Sequence, residues 1–318
     1  MTTSDAPRVT LGPSDLAVSP LALGGNVFGW TADRDRSFAV LDAYTAAGGN
    51  FIDTADVYSA WAPGNSGGES ETVIGEWLRS RGNREQVVIA TKVGMLAGLD
   101  DLKAATLKRG AEQSLRRLGV ERIDLFYTHR DDLDTPVEEI VTALDELVRE
   151  GKVREVAASN IGPERLAASL AFAAREGLAR YVAVQPHYNL VSRDTYEGAL
   201  ADVAAEHGLS AVPYFALASG FLTGKYRPGA VVDSVRAQGA GRHLDDPRGL
   251  RVLAALDTVA LAHGVEVATV ALAWLAAQPT VAAPLASART VEQLPPLLAA
   301  AGLVLTESEL KLLSEASA

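Results

Sequence analysis

The sequence contains no cysteine. Disulfides, thiolate nucleophiles and cysteine-ligated metals are thereby excluded. Histidine is scarce, with five in 318 residues, and no metal site is expected. Long apolar runs are missing too: no uncharged stretch reaches spanning length, and Met1 to Pro7 lack the charged and apolar regions of a signal peptide. Positive charge is in deficit, with 29 Lys and Arg against 40 Asp and Glu, a net charge of −11. That balance argues against a nucleic-acid or anionic membrane surface, since both select basic patches. The expectation is a cytoplasmic protein without nucleic-acid or membrane partners, of open oligomeric state.

What is present is ordinary for an enzyme with a large core: 48% hydrophobic and 22% charged residues. The length could hold two domains, but it also suits one (β/α)8 barrel with modest insertions. From Arg8 to Ser19, Val9, Leu11, Leu16 and Val18 alternate around Gly12-Pro13-Ser14-Asp15, which predicts a β-hairpin that plugs one end of the domain. Leu21 to Gly25 reads as a buried strand opening into a glycine-rich loop, Gly24 to Gly29, whose small residues would admit a ligand close to the backbone.

Short apolar runs then begin near residues 21, 51, 87, 123, 154, 181, 210 and 281, and six of the seven intervals have the length of a βα unit. Eight such runs fit a closed barrel. Helix punctuation lies between them. Thr135-Pro136-Val137-Glu138 reads as a capping box with proline at the first helical position, and Gly151 ends that helix; Leu102 to Leu118 behaves likewise before Gly119. The seventh interval, Ser210 to Val281, holds a long loop containing Gly224 to Gly229, with helices after it near Arg248 to His263 and Ala268 to Ala277. A loop of that length in a compact domain is usually functional. Thr306-Glu307-Ser308-Glu309 begins a last helix.

Chemistry concentrates at the ends of the runs. Phe51-Ile52 breaks into Asp53, with Tyr58 close behind; the third run ends on Lys92 and the fourth on His129. Parallel strands covered by helices present their carboxyl ends on one face, so these four would meet there. A buried Asp53 needs a partner, and Lys92 is the available one. A phenol near an ammonium should have a lowered pKa, which would make Tyr58 a proton donor, while His129 could orient a substrate oxygen. Each residue has a plainer reading: Asp53 a cap, Lys92 a strand end reaching water, Tyr58 an aromatic lid, His129 the start of a stretch where Arg130 and Asp131 form a solvated ion pair. Their coincidence on three consecutive strand ends favours the site.

The chain resembles the aldo-keto reductases from the Leu23-Gly24-Gly25 loop through Asp53-Thr54-Ala55-Asp56-Val57-Tyr58, Ala90-Thr91-Lys92, Tyr127-Thr128-His129-Arg130, Ala158-Ser159-Asn160, Val184-Gln185-Pro186 and Gly220 to Tyr226, to Ala286 to Leu294. The resemblance implies one (β/α)8 barrel domain over residues 1–318, with an N-terminal hairpin and extra helices. It further implies a catalytic tetrad of Asp53, Tyr58, Lys92 and His129, reducing a small-molecule aldehyde or ketone with NADPH. By the same resemblance Ser159, Asn160 and Gln185 hold the nicotinamide carboxamide and Tyr214 stacks on the ring. Gly25 and Asn26 belong to the same cofactor site, Leu217, Ser219, Gly220 and Lys225 to the pyrophosphate loop, and Ser287, Arg289 and Gln293 to the adenosine end. Arg289 is expected to read the 2'-phosphate, because guanidinium and phosphate match geometrically. No Gly-x-Gly-x-x-Gly fingerprint is present, so the doubly wound way of holding a dinucleotide is not used. Where many members carry a Glu-Asn pair for adenine, this chain has Pro296-Leu297. Phe28, Trp30 and Trp61, the last in the segment Ser59 to Gly68, would wall the substrate pocket; the plainer reading of that segment is an exposed, variable loop. Two rival functions remain, a nicotinamide-binding regulatory or sensor subunit and a barrel aldolase with Lys92 as its Schiff-base lysine.

Overall fold

The computed structural model describes residues 6–230, 232–233 and 237–318. Strands β1 (Val9–Thr10) and β2 (Ala17–Val18) form the predicted antiparallel hairpin, with Val9 opposite Val18. Eight further strands make up the barrel: β3 (Ala22–Gly24), β4 (Phe51–Asp53), β5 (Val88–Val93), β6 (Ile123–Thr128), β7 (Val153–Ser159), β8 (Tyr181–Gln185), β9 (Ser210–Ala211) and β10 (Leu285–Ala286). They form one parallel sheet in the order β10-β3-β4-β5-β6-β7-β8-β9. The two edges meet through a parallel bridge between Ala211 and Val281, with hydrogen bonds from Ala211 to Thr280 O (2.8 Å) and from Ala282 to Ala211 O (2.9 Å). This is the expected (β/α)8 barrel. The last strand starts later than the apolar run near 281, because Pro284 has no N–H to continue the ladder.

Both faces of the strands are buried, which is why they read as continuous apolar runs rather than alternating ones. Phe51, Ala90, Leu125, Tyr127, Ala157 and Ala183 point inward, and Leu11, Leu16 and Val18 of the hairpin segment pack with them, closing one end as expected. Ile52, Ile89, Phe126, Val156 and Val184 point outward into a second layer shared with the helices.

The helices are α1 (Arg34–Ala46), α2 (Glu69–Arg81), α3 (Ala104–Leu118), α4 (Val137–Arg149), α5 (Pro163–Glu176), α6 (Ala199–Glu206), α7 (Ala237–Gly241), α8 (Pro247–His263), α9 (Val267–Ala276), α10 (Leu294–Leu298) and α11 (Glu307–Ala316). The capping box predicted at Thr135 does not form. Pro136 occupies the cap position, and the Thr135 hydroxyl is instead given to Asp132 Oδ2 at 2.6 Å. At α11 the same pattern does work, Thr306 and Glu309 each accepting from the other's backbone. Among the described residues no single helix is long and apolar enough to cross a membrane.

Register explains how the site is assembled. Asp53 lies opposite Ala90, two residues before Lys92; Lys92 lies opposite Tyr127, two before His129; Tyr127 lies opposite Ala157, two before Ser159. Steps of two preserve the inward face. The barrel's stagger therefore lifts Asp53, Lys92, His129 and Ser159 around the rim on the same side of the sheet.

Candidate active site

Lys92 is wholly buried, and its ammonium uses all three donors: to Asp53 Oδ2 at 2.6 Å, to Thr54 O at 2.7 Å and to Tyr58 Oη at 3.0 Å. Asp53 is equally buried, and its other oxygen accepts from Gln185 Nε2 at 2.9 Å. Tyr58 lies half-buried with its ring 4.7 Å from the ammonium, and its hydroxyl reaches Asp53 only at 3.4 Å. The imidazole of His129 stands edge-on to Tyr58, ring centroids 6.0 Å apart, and its buried Nδ1 has no partner among the described residues. The four strand-end groups thus converge. Lys92 keeps no free lone pair or surface with which to attack a carbonyl, which counts against the Schiff-base alternative.

The electrostatics differ from the expectation in one respect. Burial, then the negative charge of Asp53, pushes the Tyr58 phenol well above its ordinary value rather than lowering it. Lys92 is pulled below the usual lysine value by burial, with Asp53 opposing that loss. Burial, and then the charge of Lys92, hold His129 well below an ordinary histidine, so it is neutral near pH 7. The plainer reading of the His129 stretch, an Arg130–Asp131 ion pair, is not found among the described residues: Asp131 pairs with Arg165 at 3.0 Å, and Arg130 donates to the backbone oxygen of Asp100.

Next to this quartet lie three polar residues. Ser159 donates to Gln185 O at 2.9 Å, and exposed Asn160, with a left-handed φ of 51°, donates to His129 O at 2.9 Å and accepts from the Tyr214 hydroxyl at 2.7 Å. Tyr214 stacks on His187 at 5.4 Å, and the two line a cavity of about 230 Å³ with Asn160 and Gln185. Farther along the rim, Phe215, Ala218, Ser219 and Gly220 all have positive φ. Within this turn the Ala218 and Gly220 amides are already used, donating to Phe215 O at 2.7 Å and to Leu217 O at 2.8 Å. Leu217 begins this turn, and a methyl group placed on Gly220 would lie 3.5 Å from Lys225 Nζ. Ser287 donates to Asn26 Oδ1 at 2.6 Å, while Gly25 is drawn onto β4 by its N–H bond to Asp53 O at 2.7 Å. Gln293 Oε1 accepts from the Arg289 backbone at 2.8 Å, and among the described residues neither Arg289 nor Lys225 makes an ion pair. Leu297 is a core residue, and Pro296 O accepts from Thr269 at 2.7 Å.

The aromatic wall is only partly as anticipated. Phe28 has no accessible surface and belongs to the core, so it cannot face a ligand in this structure. Trp61 is 49% exposed and stands edge-to-face with Trp30 at 5.6 Å and with Tyr58 at 6.1 Å. Its loop is tied down: Ser59 donates to Phe28 O at 2.7 Å, Asn65 to Gly29 O at 2.9 Å, and Glu69 accepts from the Ser66 and Gly67 amides.

Sequence reasoning missed the layer behind the rim. Glu71 of α2 is fully buried, accepting from the Thr91 hydroxyl at 2.6 Å and from Arg117 Nε of α3 at 2.6 Å. Asp56, inside the motif that carries Asp53 and Tyr58, is buried without any side-chain hydrogen-bond partner among the described residues. A glutamate in a first helical turn reads as a solvated dipole partner, and only the sequence neighbourhood of Asp56 hinted otherwise.

Comparison with known proteins agrees over nearly the whole chain. A sequence model of the Aldo/keto reductase family matches residues 20–318. Similar proteins include the aldo-keto reductase ausK of Aspergillus calidoustus, 32% identical over 96% of this chain and 80% of that protein, and the norsolorinic acid reductase stcV of Emericella nidulans, 33% identical over 95% and 79%. A probable voltage-gated potassium channel subunit beta of Oryza sativa is 33% identical over 89% of this chain and 88% of its own.

Proposed function

The chain belongs to the aldo/keto reductase family, whose members are oxidoreductases acting on carbonyl compounds, and from that premise we propose that it is an NADPH-dependent reductase of aldehydes or ketones with Tyr58 as general acid. The observation that carries the reading is Lys92 Nζ, placed between Asp53 at 2.6 Å and the Tyr58 oxygen at 3.0 Å.

The residues present suit the cofactor. Lys225 and Arg289 are cations without ion-pair partners among the described residues, and Lys225 stands beside the left-handed turn at Ala218 to Gly220, where the small Gly220 lets a phosphate come close to the backbone. Arg289 would hold the 2'-phosphate, Lys225 and the turn the pyrophosphate, and Ser159, Asn160, Gln185 and Tyr214 the nicotinamide. Asn160 would first give up its bond to Tyr214, since its amide is fully engaged. When bound, reduced nicotinamide supplies the hydride that goes to the carbonyl carbon.

The side chains do the rest. The raised pKa keeps Tyr58 protonated at rest, and the substrate oxygen gains basicity as its carbonyl is reduced, so the phenol can give up its proton to it. Lys92 then stabilises the phenolate at 3.0 Å, held charged by Asp53, and Gln185 fixes Asp53. Neutral His129 can donate an N–H to the same oxygen without adding a cation that would compete with Lys92. Trp30 and Trp61 would form the substrate's apolar wall.

The test is Tyr58→Phe. Turnover of NADPH with a panel of aromatic, aliphatic and sugar carbonyls should fall by about 10²- to 10⁴-fold, the usual contribution of a general acid, while NADPH binding persists. Retained turnover would remove the assignment. The likeness to a named channel subunit keeps a second reading open, a nicotinamide-binding regulatory subunit with slow chemistry. Negligible turnover on every carbonyl together with stable capture of a membrane partner would favour it.

A further inference from the structure

Asp56 lies two residues before Tyr58 and has no accessible surface, yet neither of its carboxyl oxygens has a hydrogen-bond partner among the described residues. The charged groups around it are Glu71 of α2, Arg117 of α3 and Lys92 of β5. Both cations are already engaged, Arg117 with Glu71 at 2.6 Å and Lys92 with Asp53 at 2.6 Å. An ionised Asp56 would be a third carboxylate facing one guanidinium and one ammonium, with only a weak contribution from the neighbouring Val57 amide to offset its burial. A buried acid in that position keeps its proton instead.

The layer it occupies supports the rim. Its own N–H donates to Lys92 O at 3.1 Å, Thr54 Oγ1 bonds to Ser70 Oγ at 2.8 Å, and Thr91, next to Lys92, is clamped to Glu71. Gly67, on the return leg of the Trp61 loop, lies so close that a methyl group there would stand 2.9 Å from the backbone oxygen of Asp56. The backbone of the turn that carries Tyr58 is thus fixed to β5 and packed against the returning loop at Asp56, whose carboxyl is enclosed behind it.

We propose that Asp56 is a positioning residue, kept as a neutral carboxylic acid behind the Tyr58 turn, and that the turn holds Tyr58 on Lys92 only while this acid retains its proton. The proposal rests on the reading of Tyr58 as the general acid. Consistent with it, burial first and the charge of Glu71 second push the Asp56 carboxyl up to about 8, against smaller opposing effects of Arg117, the Val57 amide and Lys92.

The experiment compares the full-length protein with Asp56→Asn, and with Asp56→Leu should the amide fold poorly. Two readouts are taken. In denaturation without cofactor, Asp56 is protonated in the folded chain and ionised in the unfolded one between its ordinary 3.8 and about 8. The folding constant of the variant should therefore gain on wild type about tenfold per pH unit across that window and level off above it. In steady-state turnover, wild-type kcat/KM should fall with pH above about 8, while the variant matches wild type at pH 7 and stays flat through the same range. An alkaline limb unchanged in both variants overturns the positioning role, and so does loss of activity at every pH. Absence of the widening stability difference overturns the neutral-acid assignment, independently of turnover. Should Tyr58→Phe remain active, the acid reading fails while the denaturation result still reports on Asp56.

Discussion

Lys92 shows how much one side chain can decide when every donor is committed. Its three bonds join β4, the turn after it and Tyr58, so the ammonium both orients the phenol and ties its turn to the barrel. Arg289 is the opposite case. It is half-buried and anchored through its backbone to Gln293, and its guanidinium has no ion-pair partner among the described residues. A charge held in place without a counter-charge suits an anionic ligand. Replacing Arg289 with alanine should weaken NADPH binding by about ten- to a hundredfold, the range of a charge-assisted contact, and leave NADH nearly unchanged. Fluorescence titration of both nucleotides decides this; equal losses would remove the 2'-phosphate assignment.

Helix α2 and the loop before it work as one unit. Gly68 opens α2 with a φ of 85°, and Arg117 lies across it so closely that a methyl group would meet Arg117 Cδ at 2.4 Å. Only glycine meets both demands. Gly68→Ala should cost about 1–3 kcal/mol in urea denaturation, through backbone strain and displacement of the Arg117–Glu71 pair. Stability equal to wild type would show that the loop end yields freely. Caps teach a related lesson. Thr306 and Glu309 form the box their spacing announces, whereas Thr135 loses its hydroxyl to Asp132 of the preceding loop. Local patterns hold where no tertiary competitor reaches them.

The folded chain carries opposing responses to pH. His129 is neutral in the barrel well below pH 6.5 but protonated in the unfolded chain there, so its contribution to stability declines as pH drops below about 6.5. Asp56 acts in the other direction, its cost to stability growing from pH 3.8 to about 8. Thermal unfolding of His129→Asn should therefore lose less stability than wild type on going from pH 6.5 to 5. Parallel pH dependences would mean that His129 is not held neutral. Above pH 6.5 the slope should respond to Asp56 alone among these two.

By itself the sequence determined the barrel, its hairpin plug and the strand-end quartet, because buried parallel strands leave uninterrupted apolar runs and a polar residue ending such a run is conspicuous. Only the tertiary structure decided what lies between elements distant in the chain. Phe28 went to the core, Thr135 to Asp132, Asp131 to Arg165, and the Tyr58 phenol rose in pKa because burial and Asp53 outweigh a neighbouring ammonium. Partner choice and local polarity depend on how α2, α3 and β5 pack together around Asp56, Glu71 and Arg117, and no spacing along the chain encodes that packing.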